Sequence, residues 1–187
     1  MRNLHKKKTV FVIAKVSAIA VSLLFTSGCS SQETKASNES FQEAKRVGWI
    51  ENAQILGVEG QTKVKLDTGA KTTSINAEIL EKPENESESG GMIKFRFVDG
   101  ETSAIFERPV IRWVKIKDGE GGFFRRPVVS MKLCIAGRWV EEEVNLAERD
   151  QFTYPVLIGR NMLEKGALVI DSAETFTAKP ECSQGEG

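Results

Sequence analysis

The scarcity of histidine limits the catalytic chemistry that this chain can perform. The 187 residues include one histidine, His5, which lies in the N-terminal stretch before Cys29. Without that stretch, the chain has no Ser-His-Asp or Cys-His nucleophile system and no histidine for a zinc site. It also has no Gly-Lys-Ser/Thr phosphate loop, so no ATP site is expected. Carboxylate chemistry remains for hydrolysis.

Among the many carboxylates, position selects Asp67. It follows the alternating segment 64–66 and precedes Thr68, Gly69 and Ala70. An aspartate at a strand end faces a loop, where substrate can reach it. Gly69 allows a tight turn that brings amide donors to the carboxylate, and the Thr68 hydroxyl can lock the loop. The alternative is a plain Asx turn, which Asp-Thr-Gly also forms.

Short apolar segments alternate with turn residues along the chain, which predicts an all-β domain. The predicted strands cover residues 48–56, 61–66, 92–98, 102–117, 123–135, 138–146 and 156–158. Glycine-containing turns, at residues 57–60, 99–100, 118–119 and 136–137, separate several of them. A polar surface loop is predicted over 81–91, and one short helix over 161–165, ended by a left-handed Gly166.

The first 28 residues have the layout of an export signal. A basic start, an apolar middle and the small residues Ser27 and Gly28 precede Cys29, as in a bacterial lipoprotein signal peptide. A retained membrane anchor is the alternative, but the apolar segment is short and Lys15 interrupts it. We therefore predict a signal peptide (1–28), lipidated Cys29 with a flexible tether (29–46), a folded domain (47–177) and a disordered tail (178–187). The expected place is the cell envelope, facing the periplasm, with the lipid in the membrane and the outer membrane favoured by Ser30.

Charge and cysteine content add two points about partners and compartment. The whole chain is neutral, but residues 1–28 hold five basic residues and no acids, so the mature chain is acidic. That balance argues against nucleic acid as a partner. In an oxidising compartment Cys134 and Cys182 could pair; otherwise Cys134 is a buried strand residue and Cys182 a free thiol in the tail.

Three segments together resemble a known family. Asp-Thr-Gly-Ala at 67–70, a glycine-rich hairpin at 115–124 and Ile-Gly-Arg-Asn-Met-Leu at 158–163 follow the order seen in retropepsins, the homodimeric aspartic proteases of retroviruses. A bacterial branch of retropepsin-like peptidases is similar over more of the chain, at residues 47–49, 67–72, 107–110 and 125–129. Its members often carry the label "ATP-dependent zinc protease", and some are associated with glutamate-ligase-type modification systems.

The resemblance implies a closed β-barrel of the retropepsin type with one short C-terminal helix. It also implies a homodimeric aspartic endopeptidase acting on peptides or proteins, with no metal and no cofactor. The implied site residues are catalytic Asp67, the active-site loop Thr68, Gly69 and Ala70, the flap glycines Gly119, Gly121 and Gly122, and the supporting Gly159, Arg160 and Asn161.

One departure from the viral pattern affects Arg160. Lys71 occupies the position where the viral enzymes have an acidic partner for that arginine, so Arg160 is expected to pair with Glu107 or Asp171 instead. The alternative function is an envelope lipoprotein that keeps this fold to bind peptides or a partner without cleaving them.

Overall fold

The computed structural model describes residues 43–86, 89–117 and 121–182. Four predicted features lie wholly or mostly outside these ranges: the signal peptide, the lipidated Cys29, most of the tether and the flap residue Gly119. Within them the elements are β1 (Lys45–Ile55), β2 (Thr62–Leu66), β3 (Thr73–Glu81), β4 (Met92–Asp99), β5 (Thr102–Pro109), β6 (Arg112–Lys117), β7 (Phe123–Ile135), β8 (Arg138–Ala147), β9 (Val156–Ile158), α1 (Arg160–Lys165) and β10 (Leu168–Thr175). In the part of the chain that the structure describes, no helix has the length and hydropathy of a membrane span.

The strands form a ring joined by backbone hydrogen bonds. They are ordered β10-β1-β2-β9-β3-β8-β7-β6, and an additional β1–β7 pairing links the two parts of this path. β4 and β5 form a hairpin that continues from β3. Alternation explains how strands face the core: in β2 the side chains of Thr62, Val64 and Leu66 are buried while Lys63 is exposed. One core cluster joins residues from nearly all elements, including Phe95, Phe97, Leu133, Ile158 and Met162.

The predicted all-β class with one short helix is confirmed, but several strand boundaries differ. Residues 102–117 form two strands, because the chain breaks at Val110 and Ile111 after Pro109, which has no N–H to donate. The strands β3 and β10 were not predicted. The first five residues of β3 are all buried, so its sequence shows no alternation, and β10 is mostly exposed and polar.

Three of the predicted turns contain residues with positive φ. Gly57 and Gly60 have φ of 93° and 80°, Gly100 has 60°, and the Ala136–Gly137 pair has 53° and 78°. In the last turn alanine adopts a conformation that glycine takes at lower cost.

The prediction for the end of α1 is wrong in one detail. Gly166 has φ −77°, and the left-handed residue is Ala167 with φ 47°. Glycine suits position 166 because space is tight there: an added Cβ would lie 3.0 Å from the Met162 carbonyl oxygen and 3.2 Å from the side chains of Leu168 and Val140.

The C-terminal residues are held against β1 by a buried carboxylate and a disulfide. Glu51 is 0% exposed and accepts hydrogen bonds from the backbone N–H groups of Gly48, Thr177 and Ala178 and from the Thr177 hydroxyl, at 2.6–3.1 Å. Cys134 of β7 and Cys182 form a disulfide. Order therefore extends past residue 177, where the tail was predicted to begin, and residues 183–187 lie outside the described ranges.

At the edge of the sheet, β10 is bonded to β1 alone among the described strands. Asp171 there accepts a hydrogen bond from the Ala173 N–H and forms an ion pair with Arg46.

Replacing Glu51 by alanine is expected to lower the free energy of unfolding by about 1–3 kcal/mol, because the four hydrogen bonds to its buried carboxylate are lost. Denaturant unfolding of the oxidised protein measures it. Glu59→Ala, in an exposed turn, is the matched control and should change stability by less than about 0.5 kcal/mol. Equal stabilities of the two variants would contradict this account of the C-terminal residues.

Candidate active site

Asp67 stands at the point where two parallel strands end. Leu66, the last residue of β2, is in register with Ile158, the last residue of β9. The Asp67 N–H donates to the Ile158 carbonyl at 2.9 Å, so the backbone is fixed up to this residue. Side chains alternate along β2, which places Leu66 in the core and leaves Asp67 on the opposite side, 29% exposed. A rigid backbone thus presents a partly exposed carboxylate.

The loop after Asp67 orients its carboxylate. The Gly69 N–H donates to Asp67 Oδ1 at 2.9 Å, and the Ala70 N–H donates to the Asp67 carbonyl at 3.3 Å. A Cβ at Gly69 would lie 3.1 Å from Oδ1, so glycine suits this contact. The Asx turn considered from the sequence is therefore present, and it fixes the carboxylate. The second oxygen, Oδ2, lies 3.9 Å from the Lys65 ammonium.

Arg160 holds the same loop from α1. Its guanidinium donates to the carbonyl oxygens of Thr68 at 2.8 Å and Gly69 at 3.3 Å, and its backbone N–H donates to the Ala70 carbonyl. The predicted pairing with Glu107 or Asp171 is wrong, because Asp171 is paired with Arg46 and Arg160 is bonded to carbonyl oxygens. An arginine can support the loop in this way without an acidic partner, because backbone carbonyls carry the negative end of a dipole.

Gly159 and Asn161 join this loop to β3. A Cβ at Gly159 would lie 2.6 Å from the backbone carbon of Thr72, so only glycine allows this approach. The Thr73 hydroxyl accepts from the Gly159 N–H at 3.0 Å and donates to Asn161 Oδ1 at 3.1 Å. Asn161 Oδ1 also accepts from the Thr73 N–H, while its amide donates to the Glu143 carbonyl. Sequence reasoning missed Thr73; its place six residues after Asp67, at the start of a buried strand, is the available signal.

The predicted flap is a β-hairpin of β6 and β7, with pairs from Arg112 and Val128 to Lys117 and Phe123. Gly121, near its tip, has φ 91°, as a glycine turn requires. Two exposed aromatic side chains follow: the Lys115 ammonium lies 4.1 Å from the ring centre of Phe123, and Arg126 lies 5.2 Å from that of Phe124. The hairpin thus carries cations backed by aromatic rings.

A cleft of about 940 Å³ lies between this hairpin, β3 and the segment that follows β8. It is lined by Asn76, Ala77, Glu78, Ile79, Lys82, Val98, Trp113, Phe124, Arg125, Arg126, Pro127, Leu146, Ala147, Glu148 and Asp150. The buried Arg149 borders it. Burial lowers the pKa of Arg149, as does neighbouring Arg126, whereas the charge of Asp67 raises it. Arg149 therefore lies within electrostatic reach of both the flap arginine and the Asp67 carboxylate; the sequence did not single it out.

Burial also lowers the pKa of Arg126, and the carboxylate of Glu148 opposes that change. Among the described residues, no group of three or more histidine, cysteine, aspartate or glutamate side chains could hold a metal ion.

Removing the Thr73 hydroxyl in Thr73→Val is expected to destabilise the protein by about 1–3 kcal/mol, since the buried Gly159 N–H loses its acceptor. Thr73→Ser keeps the hydroxyl and should retain most of the stability. Urea unfolding of both variants measures the difference, and a valine variant as stable as the serine variant would rule out this role for the hydroxyl.

Comparisons with known proteins agree with this geometry. The sequence model of the RimB-like family, described as the retropepsin-like aspartic endopeptidase RimB, matches residues 46–181. A probable alpha-L-glutamate ligase of Shewanella halifaxensis is 30% identical over 123 residues, which are 65% of this chain and 26% of that protein. One of Desulfotalea psychrophila is 30% identical over 129 residues, 66% of this chain and 26% of that protein.

This chain thus spans about a quarter of the length of the curated relatives it matches. A crystal structure of Lpg0085 from Legionella pneumophila, a DUF785 protein of unknown function, is similar with a TM-score of 0.59 and 28% identity, covering 74% of this chain and 100% of that one. Because the family model covers most of the chain, including the whole candidate site, the chain belongs to the RimB-like family of retropepsin-like aspartic endopeptidases.

Proposed function

We propose that this chain is an exported, lipid-anchored aspartic endopeptidase that works as a homodimer, with one Asp67 from each subunit. The observation that carries the proposal is the Asp67 loop, in which Gly69 orients the carboxylate and Arg160 fixes the backbone. Membership of a family of aspartic endopeptidases supports the same chemistry. The ring of paired strands supports a closed barrel as the frame of the site.

The need for a second subunit follows from the chemistry. Aspartic peptidases use two adjacent carboxylates that share one proton, because like charges at that distance cannot both ionise. The ionised carboxylate takes a proton from water, which attacks the peptide carbonyl, and the protonated one donates to the departing group. The sequence has one Asp-Thr-Gly. A twofold axis near Asp67 would bring the second carboxylate from an identical chain, and the β6–β7 hairpin would close over the bound peptide.

Two features support export. Residues 1–29 have the layout of a lipoprotein signal, and the disulfide between Cys134 and Cys182 suits an oxidising compartment. Lipid on Cys29 would hold the domain at a membrane facing the periplasm. Palmitate labelling of the full chain, with Cys29→Ala as the control, tests this part independently of catalysis.

Asp67→Asn should abolish peptide cleavage and leave the fold intact. Mixing wild-type and Asp67→Asn chains tests whether two subunits share one active site. After subunit exchange, an equal mixture of wild type and variant should retain about a quarter of the wild-type activity if each site needs two Asp67 residues, and about half if each chain acts alone. Cleavage rates at fixed total protein measure this. Glu101→Asn, in an exposed turn, is the control and should leave activity unchanged; full activity of Asp67→Asn would end the proposal.

One observation favours the alternative, an envelope protein that binds peptides without cleaving them. In the single chain the group beside Asp67 Oδ2 is a cation, Lys65 at 3.9 Å. A protein that remains monomeric in sedimentation experiments at concentrations where it binds peptide, and that never cleaves it, would support this function over the first.

The charges around the cleft indicate the substrate. Lys65 and Arg149 are the cations within electrostatic reach of Asp67 that the contacts identify, and Arg126 faces Arg149 from the hairpin. Of the acids on the cleft wall, Asp150 already accepts a hydrogen bond from Asn76, Glu78 is paired with Arg96, and Glu148 lies within electrostatic reach of Arg126. The relatives named as glutamate ligases suggest a related chemistry. We infer a substrate peptide with acidic side chains next to the cleaved bond.

Arg126→Met is expected to lower kcat/KM for a glutamate-rich peptide by about tenfold or more, because a charge-assisted hydrogen bond is lost. The same peptide with glutamine in place of glutamate should be affected less than about threefold. Arg108→Met is the matched control, since Arg108 contacts Phe106 on the β4–β5 hairpin and does not line the cleft. Equal losses on both peptides would contradict recognition of acidic side chains.

A further inference from the structure

The buried side chain of Asn76 ties three segments together. Asn76 lies in β3, and its amide donates to Asp150 Oδ1 at 2.9 Å and to the Val98 carbonyl at 3.2 Å. Its Oδ1 accepts from the Arg149 N–H at 2.7 Å, and its own N–H donates to the Pro155 carbonyl. Asn76 thus bonds both ends of the segment between β8 and β9, residues 148–155, here called the β8–β9 loop: its side chain bonds Arg149 and Asp150, and its backbone N–H bonds Pro155.

Arg149 organises the same loop from inside. Its guanidinium donates to the Ser74 hydroxyl at 3.1 Å and to the Tyr154 carbonyl at 3.3 Å, and its carbonyl accepts from the Phe152 N–H. The guanidinium also lies 4.5 Å from the ring centre of Phe152. Because Ser74 and Asn76 are two residues apart on a strand, they project to the same side of β3 and hold the loop together.

The β8–β9 loop forms a wall of the cleft, and its Arg149 lies within electrostatic reach of the Asp67 carboxylate. Glu148 and Asp150 line the cleft opposite the hairpin residues Phe124 and Arg126. Phe152, at the end of this wall, is 62% exposed although its backbone is hydrogen-bonded. An exposed aromatic side chain held in this way, with the Arg149 guanidinium against its ring, is suited to contact a substrate side chain.

The same strand also carries the active-site loop. β3 begins at Thr73, which is bonded to Gly159 and Asn161, and continues directly to Ser74 and Asn76. The Asp67 loop and the cleft wall are therefore fixed to adjacent positions of one strand. Substrate contacts lose most of their effect when groups shift by about 0.5–1 Å, so the anchoring of the wall should affect substrate binding.

We propose that Asn76 is a positioning residue for substrate binding, because it fixes the β8–β9 loop at the distance from Asp67 that a bound peptide requires. The inference rests on the proposed peptidase function. It goes beyond that function by assigning part of the substrate affinity to a buried amide that acts through the position of the β8–β9 loop.

Exchanging the Asn76 amide and the Asp150 carboxylate between the two positions tests the proposal. Asn76→Asp brings a second carboxylate next to Asp150, so the loop should be repelled from β3. We expect KM for the glutamate-rich peptide to rise about tenfold with a smaller change in kcat. In the double variant Asn76→Asp, Asp150→Asn the donor and acceptor are exchanged, and KM should return to within about threefold of wild type. The Val98 bond is lost in both variants, so it cannot explain the difference.

A second measurement is independent of catalysis. In a Phe152→Trp background, the added tryptophan should be quenched more strongly by acrylamide in Asn76→Asp and return to the starting value in the double variant. The same variants with Phe152 unchanged give the fluorescence of the native tryptophans, which is subtracted. The proposal is overturned if KM does not follow the tryptophan signal, or if the double variant recovers stability to urea but not KM.

Failure of the proposed function gives a different result. If wild type does not cleave the peptide under any condition, the peptidase proposal fails. The dissociation constant of the same peptide, measured by calorimetry, then replaces KM in the comparison. An affinity that follows the tryptophan signal upholds the role of Asn76, and an affinity equal in all three proteins ends it.

Discussion

A backbone contact between two distant parts of the chain underlies the candidate site. Gly159 approaches the Thr72–Thr73 peptide so closely that no Cβ could be placed between them. Packing at this distance allows the Thr73 hydroxyl and the Asn161 amide to bond across the contact, and it brings the Arg160 guanidinium to the carbonyls of the Asp67 loop. If the contact were wider, the carboxylate would still be present, but the Arg160 guanidinium that holds its loop would be displaced from the Thr68 and Gly69 carbonyls. Buried side-chain hydrogen bonds hold such a geometry well. The free-energy cost of leaving a buried donor or acceptor unpaired is larger than the net gain from forming the bond.

The Asp67 carboxylate has cations nearby, whereas the acceptors through which Arg160 holds its loop are neutral backbone carbonyls. The support uses neutral acceptors, the backbone carbonyls of Thr68 and Gly69, and among the described residues no carboxylate forms an ion pair with Arg160. Lys65 lies beside the Asp67 carboxylate, Arg126 lines the cleft and Arg149 borders it, and the two arginines are partly or largely buried. Burying cations near one another is unfavourable in the free protein, and a bound anion would relieve it. This electrostatic cost is the physical reason to expect acidic groups in the ligand.

The sequence was most informative where local chemistry decides the structure. Asp-Thr-Gly followed an alternating strand, and the turns at Gly57–Gly60, Gly100 and Gly137 were visible because few residues other than glycine take positive φ. Prediction failed where the decisive contacts are distant in sequence. The partner of Arg160 depends on how α1 meets a loop 90 residues earlier, and β3 lacks alternation because its first half is buried on both faces. Arg149 and Asn76 belong to the same class: their roles arise from a loop folding back on a strand more than 70 residues away.

The contacts along the β10 edge affect how readily the protein aggregates at high concentration. An open strand edge is a template on which other chains can add strands and begin aggregates. On β10 the Asp171 carboxylate occupies the Ala173 N–H and also attracts Arg46, so this stretch of edge offers fewer free donors and carries a charge pair. Indefinite strand-by-strand growth is therefore disfavoured along this stretch of β10.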